Sequence, residues 1–299
     1  MNLANKSFET RTCGKWIMSG EHAVLRGCPA LVFPLLSRHL DLSYRPSTEG
    51  LKLELLGPYG DELQLLFWGV LERVCELKNI SRNSLSGTLQ LRNGIPVGAG
   101  MGASAAFCVA MTRWFESLGY VENAEVYEFS RQLENIFHGE SSGVDIAVAL
   151  SAQPLIFTRG KERIDFNPAW QPRAFISYSE KRGVTLDCVT KVKNLLSAHP
   201  HLGEKIDREM RRSVQTCTAA LSSVEADNID MLAEGIDQAA TCFHQWGLTE
   251  GAAEKHMTWL QDQGALAVKP TGSGGGGYIL SLWNEEPPAE LKEKLIPCF

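Results

Sequence analysis

The sequence of 299 residues predicts a two-domain protein of mixed strands and helices, on three observations. The chain is longer than one ordinary hydrophobic core sustains, and two domains of middling size are its natural division. Its first hundred residues read mainly as short strands and turns, whereas the second half is mostly helical. Between these regions Lys161 to Arg173 holds two prolines and little periodicity, which places a boundary there and gives domains 1–168 and 169–299.

Taken in order, strands are expected at Lys15 to Met18, Ala30 to Phe33, Leu40 to Tyr44, Leu51 to Leu56 and Thr88 to Arg92, with one helix around Glu62 to Leu77. From Ser104 the character changes. Ala105 to Met111 is a continuous apolar run, and a helix apolar on all sides is a buried one. Asn123 is a good N-cap for a helix whose stripe is Val126, Phe129, Leu133, Ile136 and Phe137, stopped by Gly139. A further helix is expected from Ser142, then a strand at Leu155 to Thr158. Beyond the boundary a strand at Ala174 to Tyr178 precedes helices around Leu186 to Leu196, Glu204 to Ala226, Ile229 to Trp246 and Ala252 to Gln263. The strand Tyr278 to Trp283 follows a run of glycines at 274 to 277.

Composition excludes several classes of protein. With 44% hydrophobic and 21% charged residues the chain has the makeup of a folded globular protein, not of a disordered one. A net charge of −6, without a dense Lys/Arg block, argues against a nucleic-acid partner. No apolar stretch is long enough to span a bilayer, and Met1 to Thr10 lacks a signal-like apolar region, so a cytoplasmic protein with no membrane partner is expected. The eight cysteines show no CxxC pair or zinc-like spacing and read as reduced thiols.

Chemistry concentrates first in Ile95-Pro96-Val97-Gly98-Ala99-Gly100-Met101-Gly102-Ala103-Ser104, three glycines directly before the buried helix. A helix start exposes unpaired N–H groups, the macrodipole favours negative charge there, and glycine removes side-chain bulk, so the loop suits a phosphate. A tight turn is the plainer alternative. No Gly-Lys-Ser/Thr follows, so this is not a Walker A loop. The pattern formally satisfies the dinucleotide fingerprint GxGxx(G/A), but Asn93-Gly94 and Ile95-Pro96 separate the glycines from the strand, whereas that fingerprint runs straight out of one.

Pro96 to Ala106 resembles the second signature of the GHMP kinase superfamily, PxGxGLGSSAA, with Ala103 in place of its first serine. Two further blocks agree. Gly14 to Val24, containing Gly20-Glu21-His22-Ala23-Val24, resembles the first signature in the form that mevalonate kinases carry. Lys269-Pro270-Thr271-Gly272-Ser273-Gly274-Gly275-Gly276-Gly277 resembles the third, KxTGAGGGG, with Pro270 and Ser273 as departures. Glu134 to Asp145 looks like the family's E…HGxxSGxD segment. Read without the family, Lys15 could be a snorkelling surface lysine, Asp145 the last member of a Ser142-Gly143-Val144-Asp145 capping box, and Glu134 a solvated helix residue.

The resemblance implies an α+β fold of two domains, the GHMP kinase fold, with a ferredoxin-like C-terminal domain. It implies ATP as co-substrate, bound by Gly98, Ala99, Gly100, Met101, Gly102, Ala103 and Ser104, and Mg2+ held by Ser104 and Glu134. Asp145 would accept or orient the proton of an alcohol, and Lys15 would keep Asp145 ionised and contact the γ-phosphoryl group. Glu21, His22 and Thr185 would face the acceptor, expected to be (R)-mevalonate phosphorylated on its 5-hydroxyl; a homodimer is left open. Phosphomevalonate, sugar and homoserine kinases share the glycine loops, and a catalytically silent small-molecule binder of the same family is the alternative from another class.

Overall fold

The computed structural model describes residues 6–138, 141–161, 163–225 and 227–299. The helix stop expected at Gly139 and the helix end expected at Ala226 lie outside the described residues. By contact the chain divides into two compact units interleaved in sequence. The first holds Met1–Lys15, Pro34–Val97 and Gly102–Ala152; the second holds Trp16–Phe33, Gly98–Met101 and Gln153–Phe299. Position 168 falls within the last stretch of the second unit, and strands β1 (Phe8–Ser19) and β2 (Ala30–Gly50) each supply residues to both units.

In the first unit, Leu40 to Arg45 of β2 pairs antiparallel with β4 (Ser86–Asn93), and β3 (Lys52–Leu56) pairs parallel with β4. The helices are α1 (Gln64–Lys78), α2 (Ala103–Ser117), α3 (Val126–His138) and α4 (Val144–Ser151). As its unbroken apolar sequence predicts, α2 is the central element. Ala105 to Met111, Trp114 and Phe115 are wholly buried, and α2 packs on α3 and α4. Burial of such residues contributes roughly 1.5–3 kcal/mol per large side chain, far more than helix propensity supplies.

Two local expectations change here. The N-cap before α3 is Glu122, not Asn123, and a short 3-10 turn over Asn123–Glu125 intervenes, with the Glu125 carboxylate accepting the Glu122 N–H at 3.2 Å. The two strands expected at Ala30 and Leu40 are one. Pro34 has no N–H to give a ladder, but it falls between the stretch paired to β5 and the stretch paired to β4, so β2 runs through it.

In the second unit, Ala30 to Val32 pairs with β5 (Leu155–Phe157), which pairs with β6 (Ile164–Asp165). A separate antiparallel sheet has β7 (Arg173–Tyr178), β8 (Ala267–Thr271), β9 (Tyr278–Trp283) and β10 (Ile296–Pro297) in the order β10-β7-β9-β8. Numbered within that sheet the order is 4-1-3-2. Helices α5 (Thr185–Ala198), α6 (Pro200–Leu221), α7 (Asn228–Gln245) and α8 (Ala252–Asp262) all lie between its first and second strands. A 3-10 turn, Ala289–Leu291, stands where a ferredoxin-like domain would carry its other helix. Pro270 is tolerated inside β8 because that strand is the edge of the sheet. All eight cysteines are free and buried, and among the described residues no helix is long and apolar enough to cross a membrane.

Candidate active site

In the first unit the site grows from the start of α2. Strand β4 ends at Asn93, whose side chain closes a turn, accepting the Ile95 N–H at 3.0 Å and donating to Ile95 O at 2.9 Å. The loop that follows is therefore offset from the strand, unlike a dinucleotide fingerprint. Gly98, Gly100 and Gly102 take φ of 70°, 83° and 76°, a region that costs other residues roughly 1–2 kcal/mol. Gly102 is also the N-cap of α2, and no side chain caps the helix. Ser104, its second residue, is partly exposed.

Beside that helix start lies Lys15 on β1, buried and paired with Asp145 at 3.2 Å. A Cβ added to Gly102 would come within 2.9 Å of Lys15 Cγ and 3.6 Å of Asp145 Oδ2, so the last glycine of the loop lies against the ion pair with no room for a side chain. Asp145 stands in the first turn of α4. Its carboxylate faces Lys15, and the N-cap of α4 is Gly143, without a side-chain cap. The capping-box alternative is thus not what the chain adopts. Lys15 is likewise no snorkelling surface residue.

Glu134 reaches the same place from α3. It is buried at 3% exposure, and Ser141 donates its hydroxyl to Oε2. Its carboxyl is held well above the usual carboxylate range, first by burial and then by neighbouring Asp145, with Ser141 and Lys15 opposing. Lys15 opposes both carboxylates, and Arg131, itself paired with Glu128, opposes Glu134 more weakly. That charge balance fits a cation, and Mg2+ commonly takes only one or two protein carboxylates with the remainder from phosphate and water. Among the described residues no three His, Cys, Asp or Glu side chains form a closed metal site.

In the second unit the two other glycine-rich segments meet. A Cβ on Gly272 would stand 3.1 Å from Gly100 O, and one on Gly277 3.0 Å from Ala99 O, so the third block walls the segment Gly98 to Met101. His22 takes φ 57°, rare for a residue with a side chain. Its Nε2 hydrogen-bonds Ser273 O at 2.9 Å, and its ring lies edge-on to Phe243 and Trp246. Burial brings its pKa down to about 4, so the ring is neutral and Nε2–H donates. Thr185, the first residue of α5, donates to Ser273 Oγ at 3.4 Å. His22 and Thr185, far apart in sequence, therefore share Ser273.

Glu21 is the candidate whose placement differs most from a direct acceptor contact. It is buried, and its carboxylate accepts from Lys269 Nζ, itself wholly buried in β8. Lys269 lies in the third block, and the resemblance implies no role for it. The signal was a lone lysine in the apolar strand Ala267-Val268-Lys269-Pro270, a position that demands a buried counter-charge.

Residues 66–153 match the family model described as GHMP kinases N terminal domain, a segment that contains the glycine loop Gly98 to Ser104, Glu134 and Asp145. The whole chain has the two-domain α+β fold of the GHMP kinases. Its relatives carry a narrower name. It is 29% identical over 285 residues to the mevalonate kinase of Aeropyrum pernix, covering 91% of this chain and 87% of that protein, and 27% identical to that of Archaeoglobus fulgidus, covering 92% of each. The crystal structure of L. major mevalonate kinase in complex with R-mevalonate superposes with a TM-score of 0.77 at 20% identity, covering 97% of this chain and 90% of that one.

Proposed function

We propose that this chain is an ATP-dependent kinase that phosphorylates the 5-hydroxyl of (R)-mevalonate, giving ADP and 5-phosphomevalonate. The observation that carries the chemistry is the contact of Gly102 with the Lys15–Asp145 pair. It sets a phosphate-binding helix start directly against a carboxylate able to take a proton. The likeness to the mevalonate kinases of Aeropyrum pernix and Archaeoglobus fulgidus, with Gly20 to Val24 and Glu134 to Asp145, supports the acceptor.

The backbone N–H groups from Gly98 to Ser104 bind the phosphate oxygens. Lys15 contacts the γ-phosphoryl group and holds Asp145 ionised. Asp145 accepts the proton of the 5-hydroxyl as that oxygen attacks the γ-phosphorus. The new O–P bond forms as the bond from the γ-phosphorus to the bridging oxygen breaks, and ADP leaves with the electron pair. Ser104 and Glu134 would hold Mg2+, which when bound neutralises charge on the phosphates. His22 and Thr185 orient the acceptor, and the reaction belongs to the cytoplasm.

The test is ADP release with Mg-ATP across (R)-mevalonate, phosphomevalonate, galactose and homoserine. Turnover with mevalonate alone is expected. Turnover confined to another acceptor removes the substrate assignment and leaves the kinase, and no turnover with any acceptor leaves a silent small-molecule binder.

A further inference from the structure

The turn that presents His22 is held in an unfavourable conformation. Gly20 at φ 110° could not carry a side chain, because a Cβ would stand 2.4 Å from Ala30 Cα. His22 adopts φ 57° and ψ −48°, outside the ordinary wells for a residue with a Cβ. Such strain persists only where surrounding contacts over-determine it.

Several contacts do so, all within the second unit. Gly20 N–H donates to Met210 Sδ at 3.2 Å, and Ser19 Oγ meets Ser213 Oγ at 2.6 Å. Arg26 donates to His22 O at 3.1 Å, and Ser273 O takes the imidazole N–H. Glu21 and Lys269 form an ion pair out of water here, with side-chain exposures of 2% and 0%. Lys269 Nζ also donates to Ile17 O at 3.3 Å and lies 5.3 Å above the ring of Phe243, the ring against which His22 stands. Thr271, two residues along the same strand, exchanges hydrogen bonds with Ile17 at 2.9 and 3.1 Å. One strand thus fixes both ends of the arrangement: it carries Lys269 and leads directly into Ser273.

We propose that Glu21 and Lys269 are a positioning pair for the acceptor side of the site, locking the turn at 20–23 so that the ring of His22 stands fixed against the third glycine loop. Neither residue need touch substrate. A hydrophobic pair could fill the same space with less desolvation, whereas an ion pair admits one geometry and so sets the register between the turn and β8. This rests on the reading of His22 as an acceptor-side group, and it reassigns Glu21 from contact to positioning.

The experiment uses the full chain and two variants, E21Q, which keeps a hydrogen bond to Lys269, and E21Q/K269M, which removes both charges. KM for (R)-mevalonate, KM for ATP and kcat are measured with unfolding midpoints. The ring resonances of His22 are followed by NMR in histidine-labelled protein, assigned with H22Q. The double variant is expected to fold, with KM for mevalonate raised tenfold or more, KM for ATP within twofold, and displaced His22 resonances. E21Q, which leaves the buried Lys269 ammonium without its carboxylate, should show the same pattern at least as strongly, and the double variant carries the measurement if E21Q does not fold. Unchanged His22 resonances with an unchanged mevalonate KM overturn the proposal, as does a parallel loss in both KM values. If the native chain does not turn over mevalonate, the assigned activity fails, and the His22 resonances alone then decide for or against the pair.

Discussion

Asp145 shows how a residue's role is set by what its carboxylate faces. A carboxylate in the first turn of a helix can serve the helix itself, yet here it meets Lys15 at 3.2 Å. Asp145→Asn should therefore lower kcat on the order of 10²- to 10⁴-fold, the usual worth of a general base, while ATP binding measured by calorimetry stays close to native. A near-native rate would reduce Asp145 to a structural group. Glu134→Gln should raise the Mg2+ concentration needed for half-maximal rate by roughly tenfold or more, read from ADP release against added magnesium. His22 gives a prediction in stability. Its folded pKa of about 4 lies below the ordinary 6.5, so the neutral ring is favoured in the fold. Its contribution is complete above pH 6.5 and is lost as pH falls toward 4, at most about 3 kcal/mol. His22→Gln should show a smaller loss of unfolding free energy between pH 7 and 4.5 than the native chain.

At the scale of elements, the glycine loop Gly98 to Gly102 and α2 are one device. The run Ala105 to Met111 is wholly buried, so packing holds the helix rigidly, and its N-cap is Gly102, with no side-chain cap. Two glycines of this loop separate backbone strain from crowding. Gly98 at φ 70° has nothing within 4 Å of an added Cβ, whereas Gly102 at φ 76° has Lys15 Cγ at 2.9 Å. Both alanine variants should lose about 1–2 kcal/mol of stability from the positive φ. Only Gly102→Ala should also displace Lys15 and depress kcat by more than that stability loss accounts for. Comparing unfolding with steady-state rates for the pair checks this, and equal rates in the two variants would mean that Lys15 moves aside without consequence.

For the whole molecule, a ligand that binds only the folded chain stabilises it by mass action. Mg-ATP at about 100 times its dissociation constant should add about 2.7 kcal/mol, seen as a rise in the unfolding midpoint, and NAD should leave the midpoint unchanged. A shift with NAD instead would restore the dinucleotide reading of Gly98 to Ala103. The two compact units are interleaved in sequence, so the most informative scan reads each unit separately, through a tryptophan such as Trp114 in the first and Trp246 in the second.

Whatever depends on local pattern was legible in the sequence: the burial of α2 from Ala105 to Met111, the glycine turn before it, the helices of the second half to within a turn or so, and the blocks bearing Lys15, Glu134 and Asp145. Each follows from periodicity, from the conformations only glycine takes freely, or from a motif contiguous along the chain. The tertiary structure decided what depends on partners distant in sequence. It joined the halves of β2 across Pro34, because strand pairing comes from neighbours that no linear reading supplies. It turned Asp145 toward Lys15 and away from a capping box. It also set Glu21 against Lys269, 248 positions away, since a buried charge takes its meaning from the charge that faces it.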